Sequence, residues 1–540
     1  MPPPGQSTGV VVVGAGPTGL TTALLLAHYG VACTVVERRS EPSRTPRARA
    51  VTLRTMEVLR TLGLAEEVSA AAVASERIGL PFTFAPTLAE ATPARTTTMV
   101  RRGVRAEQSP CTTVMCPQDV LERILLARIA ATRFIRLRRG VAVRDVAVRG
   151  EDVLVHTAEG SSLLARYVVG ADGAASPVRR SCSPPAGLSK QSGAPAEPAV
   201  ANTLVLFEAD LTELVADCGA TIYFLDHEGV RGYLQPTAQP HRWTFNQVHS
   251  DAATGTRADP AATVRAVLGA DVAVRVVETT EWAMRSVVAP WFRRGPVFLA
   301  GDAAHVVSPF SGSGMNLGIQ DAANLAWKLA AVLHGRARPG LLASYEEERR
   351  PVAVWNVEED RRNVSIIRDD PGWRRWSVEL PRRRRKDGLL LGYRYRSAAV
   401  LPEGGVRGGE PEGELAAPPM DYTQYVPSAR PGDRAPHCWL DDHQTSTVDL
   451  HRDGFAVVGP DPMWATHAAA AAGALTLPLA ALPPATSAAA RARLAELYRL
   501  SAGAVLVRPD GHVGWRCTEV PADPAGALAS AICTILDAVG

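Results

Sequence analysis

The stretch VVVVGAGPTGL at residues 10–20 decides the fold of this chain. A continuous valine run is typical of a strand buried in a parallel sheet, and here it leads directly into a glycine-rich turn. Residues with helical spacing follow the turn, and a second strand over residues 32–36 ends at Glu37. This order predicts a βαβ unit that binds the pyrophosphate of a dinucleotide at its first turn.

Each residue type in this turn has a physical reason. Gly14 permits the tight turn, Gly16 lets the backbone approach the pyrophosphate, and Gly19 lets the helix pack closely on the strand. Pro17 and Thr18 begin the helix, whose N-terminus faces the phosphates. The alternative is a glycine-rich turn without a ligand, which any α/β protein can contain.

Charged residues near this unit are candidate ligands of the dinucleotide. Glu37 lies 23 residues after Gly14, at the distance where a carboxylate accepts hydrogen bonds from the adenosine ribose. Arg47 and Arg49 open a second helical pattern and bring two guanidinium groups to the pyrophosphate end, where planar bidentate donors suit a phosphate. The alternative for both arginines is a solvated charge.

Two later segments repeat the pattern of a buried strand, an acid and a glycine-rich turn. The first is RYVVGADG at residues 166–173, in which Asp172 stands near the carboxyl end of the strand. The second is VFLAGDAAH at residues 297–305, followed by SPFSGSGMN at residues 308–316 and a helix. There Asp302 can bind a ribityl hydroxyl, and helix-start amides can stabilise the negative charge of a reduced flavin. The residues assigned to these amides are Gly314, Met315 and Asn316.

The composition excludes several function classes. The 540 residues include 58 basic and 55 acidic side chains, and the net charge of +3 gives no long-range field for nucleic acid or an anionic membrane. The eight cysteines form no C-x-x-C pair and no metal-ligand spacing, so we expect reduced thiols and no metal. Neither a signal peptide nor a membrane span is evident, so a cytoplasmic location is expected.

Together these motifs resemble the FAD-dependent aromatic hydroxylases, a single-component group that includes para-hydroxybenzoate hydroxylase and the polyketide hydroxylases of aromatic antibiotic pathways. The resemblance also rests on CPQDVLE at residues 116–122 and GMNLGIQDAANLAWKL at residues 314–329. It implies an α/β fold in three parts. These are a discontinuous Rossmann-type FAD-binding domain over residues 8–184 and 286–398, an inserted antiparallel-sheet substrate domain over residues 185–285, and a thioredoxin-like domain over residues 430–540.

The resemblance assigns roles to individual residues. Arg47 is expected near the moving flavin and the nicotinamide, and the turn of Pro309 is expected to flank the isoalloxazine. Many relatives have two prolines where this chain has Ser308 and Pro309. The chain therefore departs from the family pattern at the position of the first proline. The cofactor-binding residues implied are Glu37, Arg38, Arg49, Gln118, Asp172 and Asp302.

Alternating strands are predicted between residues 185 and 285. In relatives this sheet covers the flavin ring and lines the substrate pocket. The candidate substrate contacts are Tyr223, Tyr233, Gln235 and Asn246, and the alternative for each is ordinary sheet packing. His305 is a candidate acid or base, although a structural hydrogen bond is the favoured interpretation.

By resemblance, NAD(P)H reduces the FAD, O2 adds at the flavin C4a carbon, and the hydroperoxyflavin hydroxylates an electron-rich, polycyclic polyketide ring. The sequence has no second glycine-rich nucleotide motif, so NAD(P)H is expected to bind transiently. The protein is expected to act as a monomer or homodimer. A Baeyer–Villiger or epoxidising oxygenase on the same scaffold, and a catalytically silent flavin-binding partner, are alternatives.

The last unit of the chain lacks the redox chemistry of the fold that it resembles. The segment GPDPMW at residues 459–464 stands where a thioredoxin-like fold places its C-x-x-C pair. Such a segment cannot exchange disulfides. We therefore expect a structural role for this unit.

Overall fold

The computed structural model describes residues 8–42, 48–72, 80–99, 107–182, 200–237, 239–249, 259–368, 370–383, 386–403, 421–441 and 444–537. Strands and helices are numbered in chain order. The strands are β1 (Thr8–Val13), β2 (Cys33–Glu37), β3 (Ala50–Val51), β4 (Leu80–Ala85), β5 (Thr96–Met99), β6 (Val114–Met115), β7 (Ile135–Arg139), β8 (Val143–Arg149), β9 (Asp152–Thr157), β10 (Ser162–Gly170), β11 (Val200–Glu208), β12 (Ile222–His227), β13 (Val230–Pro236), β14 (Arg242–Val248), β15 (Arg275–Met284), β16 (Val287–Val288), β17 (Arg293–Arg294), β18 (Val297–Leu299), β19 (His305–Val306), β20 (Phe455–Val458), β21 (Leu479–Ala481), β22 (Ala504–Val507) and β23 (Val513–Cys517).

The helices are α1 (Pro17–His28), α2 (Leu53–Thr61), α3 (Ala65–Ala70), α4 (Gln118–Ala130), α5 (Pro177–Cys182), α6 (Thr212–Val215), α7 (Pro260–Leu268), α8 (Gly314–Leu333), α9 (Ser344–Arg368), α10 (Arg374–Arg383), α11 (Asp387–Leu391), α12 (Thr447–Leu450), α13 (Met463–Leu475), α14 (Ala488–Tyr498) and α15 (Pro524–Leu536).

The first sheet carries the predicted βαβ unit at its centre. Its strand order is β17-β18-β10-β1-β2-β7, with β9 beside β10 and β8 beside β9. Strand β1 pairs in parallel with both β10 and β2. Residues 10–12 are fully buried, which is why an unbroken valine run suits this strand. The carboxyl ends of β1, β10 and β18 lie side by side, so the turns that hold Gly14, Asp172 and Asp302 meet at one edge of the sheet.

The second sheet has the strand order β15-β11-β14-β13-β12-β4-β5. Its neighbours are antiparallel except β12 and β4, which run in parallel. One face packs against α7, and the other packs against Phe310, α9 and α10. The predicted substrate domain over residues 185–285 leaves out β4 and β5, which come from residues 80–99 and extend this sheet.

The C-terminal unit is built on the sheet β21-β20-β22-β23, in which β20 and β21 are parallel and the other neighbours antiparallel. Helices α13 and α15 cover one face, and their apolar side chains also contact Trp327 of α8. Helix α14 covers the other face through Leu494 and Tyr498. This part of the chain is a mixed α/β unit, and its thioredoxin likeness stays a prediction.

Buried charges fix the C-terminal unit to the rest of the chain. Arg508 donates from both terminal nitrogens to the carboxylate of Glu348 on α9, at 2.6 and 2.8 Å. Asp510 accepts a hydrogen bond from Asn324 on α8 at 3.1 Å, and its backbone carbonyl accepts one from Arg54 on α2 at 2.5 Å. All of these side chains are buried. Since a buried charge is stable only with its partners in place, this cluster joins α2, α8 and α9 to the C-terminal sheet.

Two more ion pairs join α2 to the C-terminal unit. Arg434 Nε donates to Glu57 at 3.0 Å, and Ser109 donates to the same carboxylate at 2.6 Å. Burial alone would raise the pKa of Glu57, but Arg434 and Arg54 lower it to about 2. The pair of Arg60 and Asp449, 2.6 Å apart, lies at the rim of the interface with 27% and 26% of the two side chains exposed.

The structure adds three further observations on the sequence. All eight cysteines are free, and five of them are buried. In the described part of the chain, no helix has both the length and the apolar character needed to cross a membrane. Within the same residues, no group of three or more His, Cys, Asp or Glu side chains could hold a metal ion.

We expect Glu348→Gln to destabilise the protein by about 3–5 kcal/mol, because Arg508 and Lys328 would lose the charge that compensates their burial. Chemical denaturation measures this loss. Arg60→Gln removes an ion pair from the rim of the same interface and should cost at most about 1 kcal/mol. Equal losses in the two variants would contradict the role of the buried cluster.

Acid is expected to weaken this interface through His451. Burial, aided by the nearby charge of Arg54, lowers the pKa of His451 to about 4. Below about pH 6.5 His451 is protonated in the unfolded chain but stays neutral in the folded protein. The free energy of unfolding therefore falls by up to about 3 kcal/mol as the pH falls to 4. Denaturation curves at pH 8, 6, 5 and 4 should show a smaller decline for His451→Gln. The same decline in both proteins would rule out this origin.

Candidate active site

The glycine-rich turn between β1 and α1 leaves an open cradle. Gly14 has a φ of +104°, which favours glycine, and a Cβ there would come within 2.8 Å of the carbonyl carbon of Ala171. A Cβ on Gly19 would overlap the carbonyl oxygen of Gly14. A Cβ on Gly16, by contrast, would meet no atom within 4 Å. Gly16 therefore borders free space at the N-terminus of α1, where helix amides attract a phosphate.

Glu37 lies beside this cradle at the end of β2. One carboxylate oxygen accepts a hydrogen bond from the Ala15 amide at 2.8 Å, and the other accepts one from the Arg39 amide at 2.9 Å. These bonds orient a carboxylate that is still partly exposed. Arg38, the next residue, is exposed to solvent.

Thr18 brings the glycine-rich turn and the later Gly-Asp segment together. A Cβ on Gly301 would lie 2.6 Å from Oγ1 of Thr18, and a Cβ on Gly318 would overlap the same oxygen. The Thr18 side chain therefore fits closely against two glycines, one in the Gly-Asp segment and one on α8. The first parts of α1 and α8 thus lie close together, and the surface between Gly16 and the start of α8 is called the groove below.

Asp321 on α8 fixes the segment of Gly301 and Asp302 through its carboxylate. Its carboxylate accepts hydrogen bonds from the Gly301 amide at 3.1 Å, from His305 Nε2 at 2.6 Å and from Arg349 Nε at 2.8 Å. Burial alone would raise the pKa of Asp321, but His305 and Arg349 lower it below its ordinary value. His305 is therefore a structural hydrogen-bonder. No role for Asp321 or Arg349 was predicted from the sequence.

A cavity of about 240 Å³ opens beside Asp302. Asp302 is exposed, and it lines the cavity together with Arg179, Arg285 and His305. Nδ1 of His305 is buried and has no hydrogen-bond partner among the described residues. The lining therefore combines two arginines with one carboxylate.

The first turn of α8 is held by Asn316. Its side chain accepts a hydrogen bond from the Thr52 amide at 2.9 Å and donates to the carbonyls of Ala50 and Gly312 at 2.9 and 3.0 Å. The side chain of Asn316 is thus used within the protein. The backbone amides of Gly314, Met315 and Asn316 lie in the first helical turn, where no intrahelical acceptor is available to them.

The remaining predicted cofactor contacts lie around the same groove. Gln118 binds the backbone of Ala48 through its amide at 2.8 Å and its side chain at 3.4 Å. Asp172 accepts from the Val178 amide at 3.0 Å, while its Oδ1 is buried without a hydrogen-bond partner in the described part of the chain. Burial raises the pKa of Asp172. Arg47 lies outside the described residues, so its predicted role stays a prediction.

The second sheet turns an aromatic face toward the Pro309 turn. Tyr233 packs edge-on against Phe310 with ring centroids 5.1 Å apart, and Trp376 meets the same ring at 5.8 Å. Burial raises the pKa of Tyr233, although the charge of Arg49 opposes this effect. Pro309 itself is exposed.

The candidate substrate residues divide between the two faces of this sheet. Tyr233 and Asn246 are directly paired across β13 and β14, and Gln235 follows two residues after Tyr233 on the same face. Tyr223 lies on the opposite face, where its hydroxyl donates to the Cys218 carbonyl at 2.8 Å and accepts from the Ala220 amide at 2.9 Å. Tyr223 is thus packed on a different face from the other three candidates, and its predicted substrate contact stays a prediction.

These residues fit FAD. The space at Gly16 suits a pyrophosphate on a helix N-terminus, and the carboxylate of Glu37 suits a ribose. The unpartnered Oδ1 of Asp172 and the exposed Asp302 add acceptors for hydroxyl groups along the groove. The free amides that begin α8 suit the electron-rich edge of a flavin.

We expect Gly16→Ala to separate folding from cofactor binding. The added methyl meets no protein atom within 4 Å, so the free energy of unfolding measured without FAD should stay within about 0.5 kcal/mol of the wild-type value. The methyl occupies the surface on which a pyrophosphate lies, so FAD affinity should fall at least about tenfold, measured by fluorescence titration. Unchanged FAD affinity would show that the cradle lies elsewhere.

Two family models match the chain. Residues 7–360 match the family described as FAD binding domain, and residues 428–538 match the family described as Aromatic-ring hydroxylase, C-terminal. The first match includes both halves of the groove, from Gly14 to Asn316. The second match covers most of the C-terminal unit.

Individual relatives match nearly the whole chain. A 4-methyl-5-nitrocatechol 5-monooxygenase from a Burkholderia species is 33% identical over 99% of this chain and 98% of its own. An aklavinone 12-hydroxylase from Streptomyces purpurascens is 36% identical over 98% of each chain. The solved structure of an aklavinone-11 hydroxylase with FAD and aklavinone is 34% identical, with a TM-score of 0.81 over 98% of this chain and 99% of that one.

Proposed function

This chain belongs to the FAD-dependent aromatic-ring hydroxylases, and we propose that it hydroxylates a polycyclic aromatic polyketide with NAD(P)H and O2. The monooxygenase activity follows from the family. The observation that carries the proposal is the close approach of α1, Gly301 and α8 at Thr18, which brings the glycine-rich turn at Gly16 and the first part of α8 together. No second nucleotide-binding motif competes with this groove in the sequence.

The chain's own residues would hold the cofactor along the groove. The α1 amides bind the pyrophosphate, Glu37 the ribose and Asp302 the ribityl chain. The first-turn amides of α8 stabilise negative charge on the ring system, an electrostatic contribution that is preorganised because Asn316 holds this turn. When bound, FAD supplies hydride acceptance and oxygen activation.

The aromatic face of the second sheet supports the proposed substrate class. Phe224, Tyr233, Phe310 and Trp376 are buried and pack as one cluster next to the exposed Pro309. Such a cluster would form the apolar backing of a substrate site at the Pro309 turn. Tyr233, Gln235 and Asn246 supply the polar groups that orient a phenolic substrate, with the charge of Arg49 nearby.

The cavity beside Asp302 is the proposed entry for NAD(P)H. Arg179 and Arg285 line it, and guanidinium groups suit the phosphates of a dinucleotide. Binding there would be transient, because the cavity of about 240 Å³ is too small to enclose the whole molecule. The C-terminal unit is proposed to be thioredoxin-like without a redox C-x-x-C pair. Its role is structural, because it packs against α2, α8 and α9.

We expect the purified protein to be yellow and to add one oxygen atom to a polycyclic phenol. The test incubates it with NADPH, 18O2 and a panel of polycyclic and single-ring phenols, followed by mass spectrometry and NMR of the product. A new phenolic hydroxyl that carries one 18O supports the proposal. Asp302→Ala, which should lose FAD, is the control.

Other products would contradict specific parts of the proposal. Turnover of single-ring phenols alone would contradict the polycyclic substrate class. An ester formed from a ketone would contradict hydroxylation. Wild-type protein that cannot be loaded with FAD would overturn the cofactor assignment itself.

A further inference from the structure

Asp360 is a fully buried carboxylate on α9, and the function proposed above gives it no role. One carboxylate oxygen accepts a hydrogen bond from the Ser308 hydroxyl at 2.6 Å. The other accepts one from the Ser308 amide at 2.6 Å and one from the Ser286 hydroxyl at 2.6 Å. Three donors therefore converge on one carboxylate, and two of them belong to the residue that precedes Pro309.

Pro309 and Phe310, the two residues that follow Ser308 in the turn, differ in burial. The Ser308 carbonyl accepts hydrogen bonds from the amide and hydroxyl of Ser311, at 3.1 and 2.9 Å. Pro309 is exposed, whereas Phe310 is buried against the second sheet. Because the turn is closed on Ser308, a shift of Ser308 moves both residues.

A second charged residue holds the far end of the turn. Lys386, which precedes α11 and is 7% exposed, donates to the Ser311 carbonyl at 3.2 Å. Its charge also acts on Asp360, although burial is the larger effect and raises the pKa of that carboxyl. The turn is thus fixed between α9 on one side and the start of α11 on the other.

Ser286 donates to Asp360 from a different segment of the chain than Ser308. It lies between β15 and β16, and β16 pairs with β19, whose last residue is two positions before Ser308. The hydroxyls of Ser286 and Ser308 make equal contacts with one carboxylate. Of these two serines, Ser308 directly precedes Pro309, whereas Ser286 is not part of the turn.

We propose that Asp360 is a positioning residue of the flavin site, which sets the place of the Pro309 turn through Ser308. The proposal rests on the function proposed above, because it takes the Pro309 turn to flank the flavin. Burying a carboxylate is costly unless its oxygens are hydrogen-bonded, and here the backbone amide and hydroxyl of Ser308 supply most of that compensation. The side-chain part of this connection depends on a hydroxyl at position 308.

The test compares Asp360→Ala, Asp360→Asn, Ser308→Ala and Ser286→Ala with the wild type, each loaded with FAD. FAD affinity is measured from the fluorescence of cofactor released on dilution, and the flavin absorption spectrum is recorded. Stability is measured by denaturation without FAD. A further readout is the fraction of consumed NADPH that appears as hydrogen peroxide when an aromatic substrate is present.

Asp360→Ala should bind FAD about tenfold more weakly, since it removes three hydrogen bonds from a charged acceptor. Asp360→Asn should restore most of the affinity, because its amide oxygen can keep two of the bonds and its NH2 group can donate to the Ser308 hydroxyl. Ser308→Ala should weaken FAD binding about threefold and raise the peroxide fraction. Ser286→Ala, which removes an equal bond on the other side, should leave FAD affinity and the flavin spectrum unchanged.

The proposal is overturned if Ser308→Ala and Ser286→Ala lose the same stability and both keep wild-type FAD affinity and flavin spectrum. Asp360 would then be a structural residue alone. If Asp360→Ala does not fold, the comparison of the two serine variants decides the question. Because FAD affinity needs no turnover, a wild type that binds FAD but hydroxylates no phenol would contradict the proposed function and leave this test intact.

Discussion

The close approach of three backbone segments at Thr18 is the constraint on which the site depends. Its side chain occupies the place where Gly301 and Gly318 would otherwise carry Cβ atoms. With these atoms absent, α1 and α8 pack at short range near their N-termini. Glu37 is linked to this place by its hydrogen bond from the Ala15 amide, and Asp302 directly follows Gly301.

Helix α9 carries buried charged residues that bind partners in three regions of the molecule. Glu348 pairs with the C-terminal unit, Arg349 pairs with Asp321 under the Gly-Asp segment, and Asp360 binds the residue before Pro309. Each of these groups would be costly to bury alone, so each demands that its partner stay in place. One helix thereby ties the position of the flavin groove to the packing of the whole chain.

Local sequence patterns predicted the first βαβ unit and the strand at residues 242–248, because buried valine runs, glycine positions and alternating residues act over short distances. The faces of the second sheet could not be predicted. Alternation shows that Tyr223 and Phe224 point in opposite directions, but not which direction leads to the groove.

Contacts over long sequence distances were also beyond sequence reasoning. Strands β4 and β5 join strands more than 100 residues later, and Asp360 binds a serine 52 residues earlier. No spacing rule connects such residues. The role of Asp321 had a weak signal, because it lies within the motif at residues 314–329 that carried the resemblance.

The position of Arg508 and Arg434 late in the chain has a consequence for biosynthesis. Glu348 precedes its partner by 160 residues and Glu57 precedes its partner by 377. While the ribosome is still translating, Glu348 has Lys328 and Glu57 has Arg54 as partners, but each carboxylate still lacks its second counterion. The packing around these carboxylates is therefore complete only after the last segment of the chain has emerged.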